Sequence, residues 1–168
     1  MKRKLLYSLV ALTLVVGLTG CGKTEKKKEQ KSNDLKAAFT IECTDEKDDS
    51  FGFETQNVIT YYFNKEQYVT DYCVTTTQKF DDEEIYEEYK AAQEETVKNT
   101  SSDIVTYDLK YDDKTKTLVF TVAIKNIDVN EAETEEEKAG LKASAILKSN
   151  EELKYTCTIE GIDKSELK

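Results

Sequence analysis

Apolar positions in residues 37–168 alternate with polar ones over most of the length, and the period changes to a helical one twice. At 37–43, Phe39, Ile41 and Cys43 fall on one side of an extended chain while Thr40 and Glu42 fall on the other. Phe53–Phe63 and Tyr68–Phe80 are rich in Tyr, Val, Thr and Phe, and the polar Asn64-Lys65-Glu66-Gln67 between them predicts an antiparallel hairpin. Tyr61, Tyr62, Tyr68 and Tyr72 are expected to cluster on it as cross-strand pairs. Asp81-Asp82-Glu83-Glu84 opens a helix: Asp81 caps it, Glu84 completes a capping-box spacing, and the carboxylates suit its positive end. Ile85, Tyr89 and Ala92, extended by Tyr86 and Val97, form its apolar stripe, and Asn99-Thr100-Ser101-Ser102 ends it. Val105, Tyr107, Leu109 and Tyr111 then alternate, followed across Asp112-Asp113-Lys114-Thr115 by Leu118, Phe120, Val122 and Ile124, a second hairpin. A second helix starts at Thr134, with Glu137 three residues on, and runs through Leu141, Ala145 and Ile146 toward Ser149-Asn150. Leu153–Glu160 is the last strand. The order β-β-β-α-β-β-α-β predicts an α+β fold, an antiparallel sheet with two helices packed on one face.

The N-terminal residues break this pattern. Lys2, Arg3 and Lys4 precede an apolar run from Leu5 to Leu18, the charged and hydrophobic regions of a secretory signal. Gly17-Leu18-Thr19-Gly20-Cys21-Gly22-Lys23-Thr24 matches the phosphate-binding G-x-x-x-x-G-K-T loop, which needs a buried strand before it and a helix after it. Neither flank fits, because Lys23–Asn33 has no apolar residue to pack on a sheet. The same octet contains Leu18-Thr19-Gly20-Cys21, which resembles a lipobox, where a peptidase cuts before a lipidated cysteine. The chain is therefore divided into a lipoprotein signal peptide at 1–20, lipidated Cys21 with a Lys-rich tether at 21–36, and one extracytoplasmic domain at 37–168. The apolar run is short for a membrane-spanning helix.

Cleavage sharpens the charge picture. Losing three basic residues and no acid takes the net charge from −10 to −13. The tether has six Lys against Glu25, Glu29 and Asp34, so a basic stalk carries an acidic body of −16. Phosphate polymers repel such a body, which sets nucleic acid aside and leaves a protein or another envelope component as partner. The domain is expected to be a monomer. Diacylglycerol and palmitate on Cys21 supply enough acyl chain for stable anchoring at the extracytoplasmic face of the cell membrane, where a single chain is marginal.

Outside the cytoplasm, thiols are usually paired, and Cys43, Cys73 and Cys157 remain after processing. Cys43 shares a strand face with Phe39 and Ile41, and Cys157 with Tyr155 and Ile159; Cys73 sits instead with Asp71, Thr75 and Thr77. Strand phase favours a disulfide between Cys43 and Cys157 and leaves Cys73 as a half-buried or exposed thiol.

Few side chains here offer catalytic or ligating chemistry. His and Trp are absent, and Arg occurs only at position 3, so the usual acid–base and metal-ligating group is missing. A calcium loop starting at Asp45 has Lys47 at its third position, Ser50 where Gly is needed and Gln56 at the bidentate position, and it fails. Asp48-Asp49 and Asp112-Asp113 read as solvated turns rather than cation sites. No catalytic, cofactor-binding or metal-binding residue is assigned, and no cofactor is expected.

The lipobox, the Lys-rich stalk, Thr40-Ile41-Glu42-Cys43-Thr44 near the start and Leu153-Lys154-Tyr155-Thr156-Cys157 near the end together resemble small lipoproteins of low-GC Gram-positive bacteria. The chain is also similar to the YehR-like lipoproteins. Tyr72-Cys73-Val74-Thr75-Thr76-Thr77, then Phe80-Asp81-Asp82-Glu83-Glu84 opening a helix, match in style. The resemblance implies a recurring first and last domain cysteine, here Cys43 and Cys157, with no counterpart of Cys73, and it implies no activity. The function expected is a non-catalytic, membrane-anchored binding or accessory domain. The alternatives are an inhibitor or subunit docking by an edge strand, and a small carboxylate-based enzyme or weak cation sensor.

Overall fold

Alternation in the sequence becomes a single antiparallel sheet in the computed structural model, which describes residues 37–100, 102 and 104–168. The expected signal peptide, lipobox with Cys21 and tether, at 1–36, lie outside the described residues. The strands are β1 (Phe39–Thr44), β2 (Phe53–Phe63), β3 (Val69–Phe80), β4 (Val105–Asp112), β5 (Thr117–Ile124) and β6 (Thr156–Glu160). They are ordered β4-β5-β3-β2-β1-β6, so the first strand lies inside the sheet and the last is at an edge. The helices are α1 (Glu83–Thr100), α2 (Glu135–Gly140) and α3 (Ala143–Glu152), and the class is α+β.

Register decides which residues share a face. Ile41 sits opposite Tyr61 and Ile159, Tyr61 opposite Tyr72, and Phe53 opposite Phe80. Two apolar clusters form on this face. One joins Phe39, Ile41, Cys43, Tyr61, Phe63 and Val69 to Leu141, Ala143, Ile146 and Leu147 of the α2–α3 segment. The other joins Phe53, Phe80 and Leu118 to Tyr86 of α1, with Tyr89 against it. The rings of Phe39 and Phe63 stack at 4.8 Å, and Tyr89 lies 5.0 Å from Phe53 and 5.2 Å from Phe80. Asn150 ties α3 to β2 from inside, donating to the Tyr61 hydroxyl at 3.2 Å and to the Ile146 carbonyl at 2.8 Å. Cys43 faces Cys157 directly across β1 and β6, and the two form a disulfide that spans 114 residues of sequence.

Several local expectations shift. Asp82, not Asp81, caps α1: its Oδ1 accepts from the Glu84 and Ile85 N–H groups at 2.8 and 3.0 Å, because the helix begins one residue later. The stripe turns with it. Tyr86 is fully buried while Ile85 is 36% exposed, and the line continues through Tyr89 to buried Gln93. The four hairpin tyrosines also divide. Tyr61 and Tyr72 pack together at 5.9 Å, Tyr62 points to the opposite face by strand alternation, and Tyr68 receives Lys142 Nζ 4.1 Å from its ring centre.

The second helix breaks in two between Gly140 and Ala143. Thr134 caps its first half as expected, accepting from the Glu137 N–H at 3.1 Å. Beyond Gly140 the backbone leaves the helix to pair with the β2–β3 turn. The Leu141 carbonyl accepts from the Val69 N–H, and the Ala143 N–H donates to the Gln67 carbonyl. α3 then runs on through Glu152, and Lys154 at φ 67° turns the chain, so the last strand starts at Thr156 rather than Leu153.

Gln67 also holds the C-terminal residues. Buried, at φ 66°, it donates from Nε2 to the Glu166 carbonyl at 2.9 Å and accepts from the Lys168 N–H at 2.7 Å. Gln67→Ala should cost about 1–3 kcal/mol, since it removes both bonds from a buried site. Urea unfolding tests this, and an unchanged midpoint would show that the tail is held by its apolar contacts alone.

Candidate functional site

The face opposite the two clusters is built from the other half of each strand's alternation. β1 contributes Thr40 and Glu42, β2 Thr60 and Tyr62, β6 Thr158 and Glu160, β3 Cys73, Thr75 and Thr77, and β5 Thr121. Register sets them in rows: Tyr62, Thr40 and Glu160 lie side by side, as do Thr60, Glu42 and Thr158. Thr75 and Thr121 share a hydroxyl–hydroxyl hydrogen bond at 3.1 Å across β3 and β5. The β-branched threonines fit the pleat well and leave hydroxyls standing from it.

Thr40, Glu42, Thr60, Tyr62, Thr158 and Glu160 line a shallow, open depression of about 260 Å³ at the β2–β1–β6 end of this face. Burial pushes the Tyr62 phenol above its usual range, helped by the adjacent Cys73 thiol and the carboxylates of Asp71 and Glu42. Tyr62 is thus a neutral donor at physiological pH. Hydroxyls that donate and accept stand here beside two carboxylates that accept. That chemistry suits hydrogen bonding to an amide- or hydroxyl-bearing partner laid across the strands. A second open depression, about 390 Å³, is lined by Asp49, Gly52, Phe53, Glu54, Lys79 and Asp81, with Glu54 held by Lys47 at 2.8 Å.

The acidic turns are engaged locally. Asp48 accepts from the Ser50 N–H and hydroxyl, Asp112 from the Lys114 N–H, and Asp113 from the Tyr86 hydroxyl and Lys90 Nζ. Asp45 accepts both from the Asn57 N–H and from its amide. Among the described residues, no three His, Cys, Asp or Glu side chains gather as a metal would need. Cys73 is a free, half-buried thiol on the Thr-rich face. Of the sequence-assigned residues, the structure brings Cys43 and Cys157 together, and Cys21 lies outside it. The depression itself escapes a strand-by-strand reading. Alternation places Thr40 and Glu42 outward, but only register puts Tyr62 and Glu160 beside them.

No protein-family model and no curated protein matches the chain. Among solved structures it is similar to one titled "NMR structure of the protein from Streptococcus pneumoniae TIGR4", at 18% identity and a TM-score of 0.45. The match covers 83% of this chain and all of the other.

Proposed function

We propose that this protein is a lipid-anchored component of the cell envelope whose acidic domain binds a protein, peptide or other envelope component without catalysis. Its helices cover one face of the sheet, and the Thr-rich face opposite is the binding surface. The observation that supports this best is the row-on-row register of hydroxyls and carboxylates around Thr40, Glu42, Thr60 and Thr158 on an open face. Open, hydroxyl-rich surfaces match extended partners, whereas small-molecule sites are enclosed and mostly apolar. Cys21 carries the lipid, and the Lys-rich tether sets the domain off the bilayer.

Two experiments test the halves of this reading. Cys21→Ser should leave an unprocessed precursor without acyl label, and a variant still labelled and anchored as mature protein would refute the lipid assignment. For the face, affinity capture from detergent-solubilised membranes with the full-length chain should recover one envelope component in stoichiometric amount. Thr60→Arg should abolish that recovery without unfolding the domain. Equal recovery by wild type and variant would remove this face from the binding role.

A further inference from the structure

β4 ends the sheet opposite β6, and the phase of its hydrogen bonds is fixed where it begins. The Ile104 carbonyl accepts from the Lys125 N–H on the β5 side, whereas Val105 turns both backbone groups outward, its carbonyl to the Ser102 N–H and its N–H to the Ser102 hydroxyl. With a period of two, the N–H and C=O groups of Tyr107, Leu109 and Tyr111 then point away from β5. Among the described residues these groups have no backbone partner outside β4.

Sheets blunt such edges with proline, bulges, very short strands or a covering segment. At the other edge β6 is five residues long. β4 has eight, no proline, and an unbroken register with β5; α1 packs against it, with Lys90 Nζ 4.2 Å from the Tyr111 ring centre, without bonding to those outward groups among the described residues. It does carry three exposed charges, Asp108 and Lys110 on either side of Leu109 and Asp112 at its end, and none is in an ion pair among the described residues.

That order of charges is complementary to itself when read in reverse. Pairing two copies antiparallel about Asp108 sets the two aspartates opposite each other, and pairing about Lys110 does the same to the lysines. Pairing about Tyr107 sets Asp108 against Thr106 and gains no ion pair, and pairing about Tyr111 sets Lys110 against Asp112 but overlaps only residues 110–112 of each strand, against 106–112 for pairing about Leu109. Pairing about Leu109 sets Asp108 of each copy opposite Lys110 of the other, and Tyr107 opposite Tyr111, twice each by symmetry. Backbone phase agrees with this register. The outward groups of Leu109 bond to their own copies, and those of Tyr107 bond to Tyr111. The Asp108–Lys110 pairs then occupy the positions without hydrogen bonds, where opposite side chains approach most closely, with Cα atoms about 4.5 Å apart.

We propose that β4 joins two copies of this chain, centred on Leu109, into one continuous antiparallel sheet. The two-fold axis stands perpendicular to the sheet, so the Thr-rich faces of both copies become one surface twice as wide. This replaces the monomer expected from the sequence, and it does not depend on what that surface binds.

Sedimentation equilibrium of the full-length chain in a density-matched detergent tests the proposal, with far-UV circular dichroism confirming the fold of each variant. Wild type should be a dimer, and Asp108→Lys or Lys110→Asp should weaken it about tenfold or more by setting like charges opposite at two places. The double reversal D108K/K110D should restore the affinity to within about threefold. A monomeric wild type overturns the proposal, as does a double reversal no tighter than the single ones. Carbodiimide cross-linking of isotopically mixed wild-type chains in membranes supplies a second measurement. A cross-link joining Asp108 of one isotope to Lys110 of the other supports the pairing. Cross-links confined to single copies, or running from Lys110 to a different protein, overturn it.

Discussion

Removing the disulfide, as Cys43→Ala with Cys157→Ala, should lower the stability of the domain by about 4–5 kcal/mol. The bridge closes a loop spanning 114 residues, nearly the whole domain, and the chain-entropy model gives a loop of that length roughly this effect. Its position adds to the consequence. β6 is short and is bonded to one strand only, β1, so the bridge adds a covalent tie to the ladder and the Gln67 bonds that hold the end of the domain to its interior. Cys43 is fully buried in the larger cluster, and Cys157 packs against it. A loss of this size would consume most of the 5–15 kcal/mol by which small domains are usually stable. Urea unfolding of the double variant beside wild type, and of wild type with and without reductant, measures it. A difference below about 1 kcal/mol would mean that the unfolded chain gains little freedom from losing the bridge.

Tyr86→Ala should have the next largest effect, about 3–5 kcal/mol, as expected when a fully buried aromatic ring is deleted. Tyr86 is 0% exposed and holds α1 to the sheet through Phe80, 5.9 Å away, and Leu118. Its hydroxyl donates to Asp113 in the β4–β5 turn, where Lys90 Nζ also bonds, so one side chain connects helix, sheet and turn. Tyr86→Phe keeps the ring and should cost about 1–3 kcal/mol. The hydroxyl leaves a titration signature too. The Lys90 hydrogen bond, then that of Tyr86, holds the Asp113 carboxyl below its ordinary value. A carboxyl depressed on folding contributes its stability above the unfolded pKa and loses it as pH falls through the folded one. The contribution of Asp113 is therefore present at neutral pH and fades below the usual carboxylate range. Carboxyl NMR titration should show Asp113 moving back toward the ordinary value in Tyr86→Phe. An unmoved Asp113 would deny that the phenol stabilises its charge.

Much of the fold is legible in local patterns. The hairpins of β2–β3 and β4–β5 follow from runs of alternating β-branched and aromatic residues around polar turns, and each forms with the partner that such a turn dictates. The pairing of Cys43 with Cys157 is legible for a similar reason: both share a strand face with apolar residues, and that face is buried together. What misleads is a signal that two arrangements satisfy equally. Asp81 and Asp82 can each cap a helix, and the choice between them rotates the stripe by one residue, exposing Ile85 and burying Tyr86. Leu141 and Ala143 keep a helical period, yet their backbones are drawn into bonds with Val69 and Gln67, some seventy residues earlier.

The candidate site divides along the same line. Each strand's sequence determines that Thr40, Glu42, Thr60, Tyr62, Thr158 and Glu160 leave the apolar face, because side-chain direction in a strand alternates residue by residue. The N-terminal lipidation reading is likewise a matter of sequence alone, carried by the residues around Cys21. Which of the outward residues stand side by side, that β1 lies inside the sheet while β4 is left at its edge, and where the second helix breaks were decided by the tertiary structure. Those features rest on register and on backbone bonds between distant segments, and no local period encodes them.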